Sequence, residues 1–211
     1  MIQLAVGIPA YRAQIHVGVG RTLLQLGAAI AASRDEFHFR GFLDMDVCGV
    51  DKARNFLLAY AMKQGAEWLL MIDADTWVPD AAALLEMVRV GDREGAVIIG
   101  APVFRRVDHL ESLNVYRRNS QGRLETLSGW DLQKHSKPFP VDAIGSAIMA
   151  VDLRQISDAA FRFTDELSED LDFCSQITKH RLLGASVWCD PRIKTYHAKS
   201  DVMIYSPPSR S

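Results

Sequence analysis

Two aspartates separated by a single residue come directly after a long apolar run. Asp73 and Asp75 follow residues 68–72, Trp-Leu-Leu-Met-Ile, and such continuous hydrophobicity is typical of a strand that is covered on both faces. Open α/β sheets bind their ligands at the carboxyl ends of the strands. The spacing therefore predicts that both carboxylates lie at a ligand-binding edge of a sheet.

Two carboxylates this close repel each other unless a cation or a shared proton relieves the repulsion. Mg²⁺ and Mn²⁺ prefer hard oxygen ligands and often combine one or two carboxylates with substrate phosphates and water. The pair therefore predicts a Mg²⁺ or Mn²⁺ site at which a diphosphate would complete the coordination, with the metal stabilising the leaving group. The alternative is that both aspartates only turn the chain before Pro79, with Asp80 capping the next helix.

The segments around this pair alternate between strand-like and helix-like patterns. Strands are predicted at residues 4–8, 37–43, 68–72, 96–100, 141–151 and 187–189, and helices at 21–33, 51–64, 80–90 and 168–180. This alternation predicts an α/β fold with a mostly parallel central sheet flanked by helices. We expect one domain over residues 1–198, with a nucleotide-binding half to about residue 103, an acceptor half from about 104, and a flexible tail at 199–211.

A polar segment interrupts the alternation at residues 105–140. Its basic residues outnumber its acidic ones: Arg105, Arg106, Arg117, Arg118, Arg123, Lys134 and Lys137 against Asp108, Glu111, Glu125 and Asp131. We predict a hairpin-rich insertion that contacts the acceptor. The alternative is ordinary solvated loop charge.

Composition sets the broad class of the protein. The chain has 211 residues, 48% of them hydrophobic, a net charge of -2 and a pI near 6.3, which indicates a globular domain that is not basic throughout. Cys48, Cys174 and Cys189 are odd in number and widely spaced, so they predict neither a zinc site nor a disulfide framework. No apolar run could span a bilayer and no signal-peptide pattern is present, so we expect a cytoplasmic protein without membrane attachment.

Several short blocks, taken in their order, resemble glycosyltransferases of the GT-A fold, close to the family 2 type and to the compact members carried by bacteriophages. The blocks are residues 7–11, 53–55, 69–75, 141–145 and 168–170, followed by His197. They span nearly the whole chain. The resemblance implies a Rossmann-like nucleotide-diphospho-sugar transferase fold, with a UDP-sugar as the default donor.

The resemblance also implies donor contacts. Pro9 and Tyr11 would line the nucleoside pocket, and one of Asp44 and Asp46 would face the base. Arg54 would support the diphosphate. The alternatives are that Tyr11 only packs on its loop and that Arg54 forms a surface ion pair.

For the metal, the resemblance implies that Asp75 and His197 are ligands. Asp73 would bind the metal ion, the ribose of the donor or a water molecule. A histidine at this position could equally be an ordinary loop residue.

Glu169 and Asp170 resemble the acidic motif from which inverting members take their general base. A helix start favours an ionised carboxylate, which can accept the proton of an acceptor hydroxyl as the hydroxyl attacks the anomeric carbon. We favour Asp170 as the base and Glu169 as the second candidate. Acids at a helix start are also ordinary capping residues, and residue types alone do not decide between inversion and retention.

Two other functions fit parts of the sequence. In a phosphatase of the haloacid dehalogenase type, Asp73 would be the nucleophile and Asp75 the general acid. That motif normally lies on the first strand and is followed by glycine, whereas two predicted strands precede it here and Trp77 follows Thr76. The second alternative is a non-catalytic protein that binds a nucleotide sugar or a glycan.

The acceptor is inferred from what the chain lacks and from the basic insertion. Without a membrane helix or the glutamine-rich motif of processive synthases, we expect single transfers to a soluble or polymeric acceptor. The leading hypothesis is a hydroxymethylated base in phage DNA, with cell-surface glycans and proteins as alternatives.

Overall fold

A computed structural model describes the chain except residues 11–13, 47–48, 108–109, 157, 180–185, 200–201 and 205–211; for residues 46, 105–107, 110–111, 199 and 202–204 it describes the backbone alone. The helices are α1 Val17–Ala32, α2 Val50–Lys63, α3 Ala82–Glu94, α4 Gly129–Gln133 and α5 Glu169–Lys179, with a 3-10 turn at Leu153–Gln155. The strands are β1 Ile2–Ala10, β2 Phe37–Asp46, β3 Trp68–Ile72, β4 Thr76–Trp77, β5 Ile98–Gly100, β6 Phe104–Val107, β7 Leu110–Leu113, β8 Val115–Arg118, β9 Leu124–Thr126, β10 Phe139–Val141, β11 Ala143–Ile144, β12 Ile148–Asp152, β13 Val187–Cys189, β14 Tyr196–Lys199 and β15 Val202–Ile204.

The central sheet has seven strands in the order β10-β13-β5-β12-β3-β1-β2. The β1-β2, β1-β3 and β5-β13 pairs are parallel, whereas β12 pairs antiparallel with both β3 and β5, and β10 pairs antiparallel with β13. The prediction of a mostly parallel sheet was therefore wrong, because the sheet is mixed. An antiparallel strand with both faces covered has the same continuous apolar pattern as a parallel one, so the sequence did not give the direction of β12.

The strand before the acid pair contributes side chains to both faces of the sheet. Trp68, Leu70 and Ile72 pack into a core with α1 and α3, and Leu69 and Met71 pack into a second core with α2 and α5. All five side chains are fully buried. Two covered faces explain why the run is continuously apolar, and the strand is held rigidly where its carboxyl end delivers Asp73.

Two predicted helices begin where local hydrogen bonds satisfy their first backbone amides. α1 starts four residues earlier than expected because the Nδ1 atom of His16 accepts a 3.0 Å hydrogen bond from the Gly18 amide. Asp80 accepts a 3.1 Å hydrogen bond from the Ala82 amide at the start of α3. The N-cap position itself is Ala81, which makes no side-chain cap hydrogen bond, so Asp80 lies one residue before the cap and the expectation that it occupies the cap was wrong.

Residues 104–133 add two antiparallel hairpins, β6-β7 and β8-β9, and the short helix α4. After β13, the chain forms a third small sheet in which β14 pairs with β15 on one side and with β4 on the other. Val202–Ile204, within the segment predicted to be a flexible tail, thus forms a strand. Among the helices that the structure describes, none is both long and apolar enough to cross a membrane.

We predict that Gly91→Ala lowers the free energy of unfolding. Alanine normally stabilises a helix by about 1 kcal/mol over glycine, but a Cβ at Gly91 in α3 would lie 2.8 Å from both Ile99 and Trp68. Overpacking of this kind costs about 1–3 kcal/mol, so a net loss is expected in urea denaturation. Gly27→Ala in α1 is the matched control, since its Cβ would meet nothing within 4 Å; it should raise the unfolding free energy, and equal behaviour of the two variants would contradict the packing assigned to Gly91.

Candidate active site

Six of the residues singled out in the sequence line one pocket of about 280 Å³. They are Arg54, Asp73, Asp75, Glu169, Asp170 and His197. The pocket lies beyond the carboxyl end of β3, and α2, the start of α5 and β14 bring the other side chains to it. Residues that are far apart in the sequence therefore meet at the edge where an open sheet binds ligands.

Arg54 joins the two acidic groups of the pocket. It lies on α2, is 3% exposed, and its guanidinium forms ion pairs with Asp73, at 2.8 Å, and with Glu169. The Cζ atom lies 5.7 Å from the centre of the Phe161 ring. A charged group this deeply buried is tolerated only when it is paired, so Arg54 fixes the turn after β3 against the start of α5.

The same burial controls the protonation of the two acids. Loss of solvent raises the pKa of Asp73, and Arg54 offsets part of that effect. Burial together with the neighbouring charge of Asp170 raises the pKa of Glu169, again partly offset by Arg54. Both acids thus depend on one guanidinium to stay ionised.

Asp75 lies in a different environment from Asp73. Its side chain is 52% exposed, and one oxygen is 3.3 Å from the Nε2 atom of His197. Burial pushes its pKa upward, but the hydrogen bonds from His197 and Thr76 and the charge of His197 outweigh burial and leave the pKa below its ordinary value. Asp75 is therefore an ionised carboxylate that faces the open side of the pocket beside an imidazole.

The turn that carries Asp73 and Asp75 is held from both sides. The Ala74 carbonyl accepts a 2.8 Å hydrogen bond from the His16 amide, and the Asp75 carbonyl accepts one of 2.8 Å from the Ala198 amide. The Trp77 ring stacks between His16 at 4.4 Å and Tyr196 at 5.7 Å. The loop before α1 and strand β14 thus fix the acid pair in place.

Asp170 is held by one of its two carboxylate oxygens. Its Oδ1 atom accepts from the Ser168 hydroxyl and from the Leu171 amide at 2.9 Å. Its Oδ2 atom faces Gly145, where an added Cβ would lie only 3.1 Å away. The glycine therefore leaves space in front of an oriented carboxylate, which is the arrangement that a general base requires.

Asn114, between β7 and β8, is a pocket residue that the sequence reasoning did not identify. Its Oδ1 accepts from the Val103 amide at 2.6 Å, its Nδ2 donates to the Gly145 carbonyl at 3.2 Å, and the side chain is buried. A single asparagine in a polar segment carries no recognisable signal. Only the hairpin geometry brings it to the floor of the pocket.

Comparison with known proteins gives the fold. No protein-family model and no curated protein sequence matches the chain. Among solved structures, it is similar to A197 from STIV, with a TM-score of 0.59 and 17% identity over 95% of this chain and 87% of that one. It is also similar to GalNAc-T7, a GT-A glycosyltransferase crystallised with UDP, GalNAc and Mn²⁺, with a TM-score of 0.57 and 11% identity. The fold is GT-A-like.

At sequence identities of 17% and 11%, the similarity to these two structures shows only that the folds are alike. The match to GalNAc-T7 covers 93% of this chain and 43% of that chain, so the chain corresponds to less than half of that protein. The resemblance seen in the sequence is thus confirmed for the GT-A-like architecture. No comparison shows a bacteriophage-type relationship.

The predicted nucleoside contacts lie outside the pocket just described. Pro9 is buried near the end of β1, and Asp44 is an exposed residue of the neighbouring strand β2, where it lines a separate groove with Phe42 and Tyr60. Tyr11 and the side chain of Asp46 are not among the described parts of the chain. Their roles stay predictions.

The described residues include no group of three acidic, cysteine or histidine side chains arranged to hold a metal ion. Asp73 is bound to Arg54, and only Asp75 and His197 lie side by side. Both Cys174 and Cys189 are buried free thiols whose pKa values are raised by burial, Cys174 to about 12. Metal binding here would therefore need ligands from substrate and water in addition to these two side chains.

We predict that Arg54→Met destabilises the fold by about 3–5 kcal/mol at neutral pH, because the buried carboxylate of Glu169 and the half-buried carboxylate of Asp73 lose their cation. Urea denaturation measures the change. Adding Glu169→Gln to Arg54→Met should recover part of the loss, because it removes one of the uncompensated charges. A double variant no more stable than Arg54→Met would contradict the electrostatic role.

The loss should also depend on pH. Without Arg54, the folded-state pKa values of Asp73 and Glu169 rise further above their unfolded-state values. The penalty relative to the unaltered protein is absent at a pH where both acids are protonated in both folded proteins. It grows as the pH rises through the folded-state pKa values of the unaltered protein, which burial already holds above the ordinary carboxyl value. The difference from the unaltered protein should be largest at neutral pH and shrink as the pH falls; a constant difference would indicate lost packing on Phe161 instead.

Proposed function

We propose that the chain is a glycosyltransferase that moves a sugar from a nucleotide diphosphate donor to a hydroxyl group of an acceptor. The observation that carries the proposal is the pocket at the edge of β3, which combines Asp75 beside His197 with the oriented carboxylate of Asp170. The GT-A-like fold agrees with it. A UDP-sugar is the default donor and DNA, glycan or protein the acceptor class, as the sequence resemblance implies.

The donor would lie along three neighbouring strands. β2, β1 and β3 run parallel, and their carboxyl ends carry Asp44, Pro9 and Asp73 in turn. A nucleoside at β2 and β1 places its diphosphate near the turn after β3. Ligand binding across adjacent strand ends is the general behaviour of open α/β sheets.

Asp75 and His197 are suited to hold Mg²⁺ or Mn²⁺ with the diphosphate. One carboxylate and one imidazole, 3.3 Å apart and open to the pocket, supply oxygen and nitrogen ligands that Mn²⁺ accepts. When bound, the cation would neutralise charge on the leaving diphosphate. Asp73 would act mainly by holding Arg54, because that ion pair occupies one of its oxygens.

Asp170 is the proposed base. Its Oδ2 atom would accept the proton of the acceptor hydroxyl while the oxygen of that hydroxyl attacks the anomeric carbon and the bond to the diphosphate breaks. Glu169 is the weaker candidate because Arg54 engages it directly. The same ion pairs argue against the phosphatase alternative, since Arg54 holds the Asp73 carboxylate that would have to act as its nucleophile.

A thermal-shift screen of nucleotide sugars with and without Mn²⁺ tests the proposal. A donor at 100 times its dissociation constant should stabilise the folded chain by about 2.7 kcal/mol, which corresponds to a rise in Tm of roughly 5–10 °C for a protein of this size. Asp75→Ala should abolish the metal-dependent part of the rise. Asp80→Ala is the control: it removes an acid near the same strand end, lowers the starting Tm through loss of its hydrogen bond from the Ala82 amide, and leaves the rise intact.

Asp170→Asn separates binding from chemistry. We expect it to keep the donor-induced rise in Tm but to lose release of the nucleoside diphosphate from the donor and transfer to acceptors. Release of phosphate from a simple phosphomonoester by the unaltered protein would instead support the phosphatase. Donor binding without any turnover in the unaltered protein would support a non-catalytic binding protein.

A further inference from the structure

The insertion exposes a large aromatic side chain. Trp130 lies on α4 and is 73% exposed, although an indole normally buries most of its surface. The helix that carries it is fixed by reciprocal hydrogen bonds between Ser128 and Asp131. Trp130 is therefore displayed by an ordered element.

Cationic side chains lie on the same helix as this ring and on the neighbouring strand β8. Lys134 lies one helical turn after Trp130, on the same side of α4. His135 stacks on Phe139 at 3.7 Å, and the Arg117 guanidinium lies 5.5 Å from the centre of the same ring. Burial, Arg117 and Lys134 together lower the pKa of His135, so both cations lie close to that imidazole.

The contacts of these cations leave them able to bind a ligand. Lys134 pairs with Asp131 at 2.8 Å, with 61% of its side chain exposed, so part of its charge is compensated while further N–H donors stay free to meet solvent or a ligand. Arg117 is exposed, and the buried Phe139 orients it. We refer to Trp130, Lys134, His135 and Arg117 as the aromatic-cationic surface.

This surface lies close to the pocket. β8 starts immediately after Asn114, which lines the pocket, and Arg117 is three residues further on, about 10 Å along an extended strand. On the α4 side, a Cβ at Gly129 would lie 3.5 Å from Phe104, the residue after the pocket residue Val103. One polymer could therefore contact the surface and enter the pocket.

The two regions have opposite charge. Four carboxylates and one guanidinium line the pocket, so it repels phosphates that no cation accompanies but admits an uncharged base or sugar. The cations of the aromatic-cationic surface would bind phosphates, and Trp130 would stack on a base. A neutral glycan could stack on the indole but would gain nothing from the cations.

We propose that the aromatic-cationic surface binds single-stranded nucleic acid. Resting on the proposed transferase function, it would hold the acceptor strand by a stacked base and adjacent phosphates while one nucleotide enters the pocket. The ligand class follows from the combination of a flat aromatic ring, at least two cations and an acidic pocket that repels phosphates unless a metal ion accompanies them.

Fluorescence anisotropy of a labelled single-stranded DNA of about 12 nucleotides, a length suited to one such site, tests the proposal with the full chain. Binding should weaken with added salt, with a slope of about 0.7 per phosphate contact in a plot of log affinity against log salt. Trp130→Ala should weaken binding roughly 5- to 150-fold with little change in slope. The double variant with Arg117→Gln and Lys134→Gln should reduce the slope by about 1.4.

Matched variants away from the surface are the controls. Phe56→Ala removes another exposed ring, from α2, and Arg34→Gln removes an exposed cation between α1 and β2. Both should bind the strand like the unaltered protein. Absent binding at low salt, or equal losses from Phe56→Ala and Trp130→Ala, would overturn the proposal, as would an acidic polysaccharide that binds tightly while the DNA does not.

The donor-induced thermal shift, measured on the unaltered protein in parallel, separates this proposal from the transferase function. A metal-dependent donor shift without DNA binding would overturn the nucleic-acid surface and leave the transferase standing. DNA binding without any donor-induced rise in Tm would support the nucleic-acid surface and contradict its role in sugar transfer.

Discussion

The candidate site depends on a single buried cation. Arg54 is in contact with Asp73, 19 residues later, and with Glu169, 115 residues later, so one side chain of α2 connects the acid turn after β3 with the start of α5. Without that cation, the low solvent access that raises the pKa values of both acids would favour their neutral forms. The two ion pairs thus hold the acid turn against the start of α5, and they also keep both carboxylates in their charged form.

This arrangement divides the four acids of the pocket into two kinds. Asp73 and Glu169 are compensated by Arg54 and are parts of the framework. Asp75 and Asp170 are each held through hydrogen bonds that leave part of the carboxylate open to the pocket. In the proposed reaction the second kind contacts the diphosphate's metal and the acceptor hydroxyl, and the first kind keeps them in position. The motif Asp73-Ala74-Asp75 contains one acid of each kind. Asp73 holds Arg54 in the framework, and Asp75 is the proposed metal ligand.

The sequence predicted the features that depend on local pattern and missed those that depend on long-range placement. The run from Trp68 to Ile72 predicted a strand with two covered faces, because that follows from its hydrophobicity. The pocket lies beyond the carboxyl end of this strand, where the general behaviour of open sheets led us to expect a site. The direction of β12 could not be predicted, because the apolar sequence of a strand does not show whether its neighbours run parallel or antiparallel to it. Asn114 was missed for a related reason: its role is created by the hairpin that places it over Gly145. The contact of His197 with Asp75 was expected only from family resemblance, because no local rule relates residues so far apart.

The turn that carries Asp73 and Asp75 is bonded on one side to the loop before α1 and on the other to β14. Its final geometry therefore requires contacts between segments separated by more than half of the chain, and such contacts close late because bringing distant segments together is entropically slow. During synthesis on the ribosome, β1, β2 and β3 can pair before β14 has been made, whereas β5 must wait for β12 and β13. A nascent chain would therefore form this part of the sheet well before the acid turn is held on both sides. Translation through β14 is thus a condition for the final geometry of the acid turn.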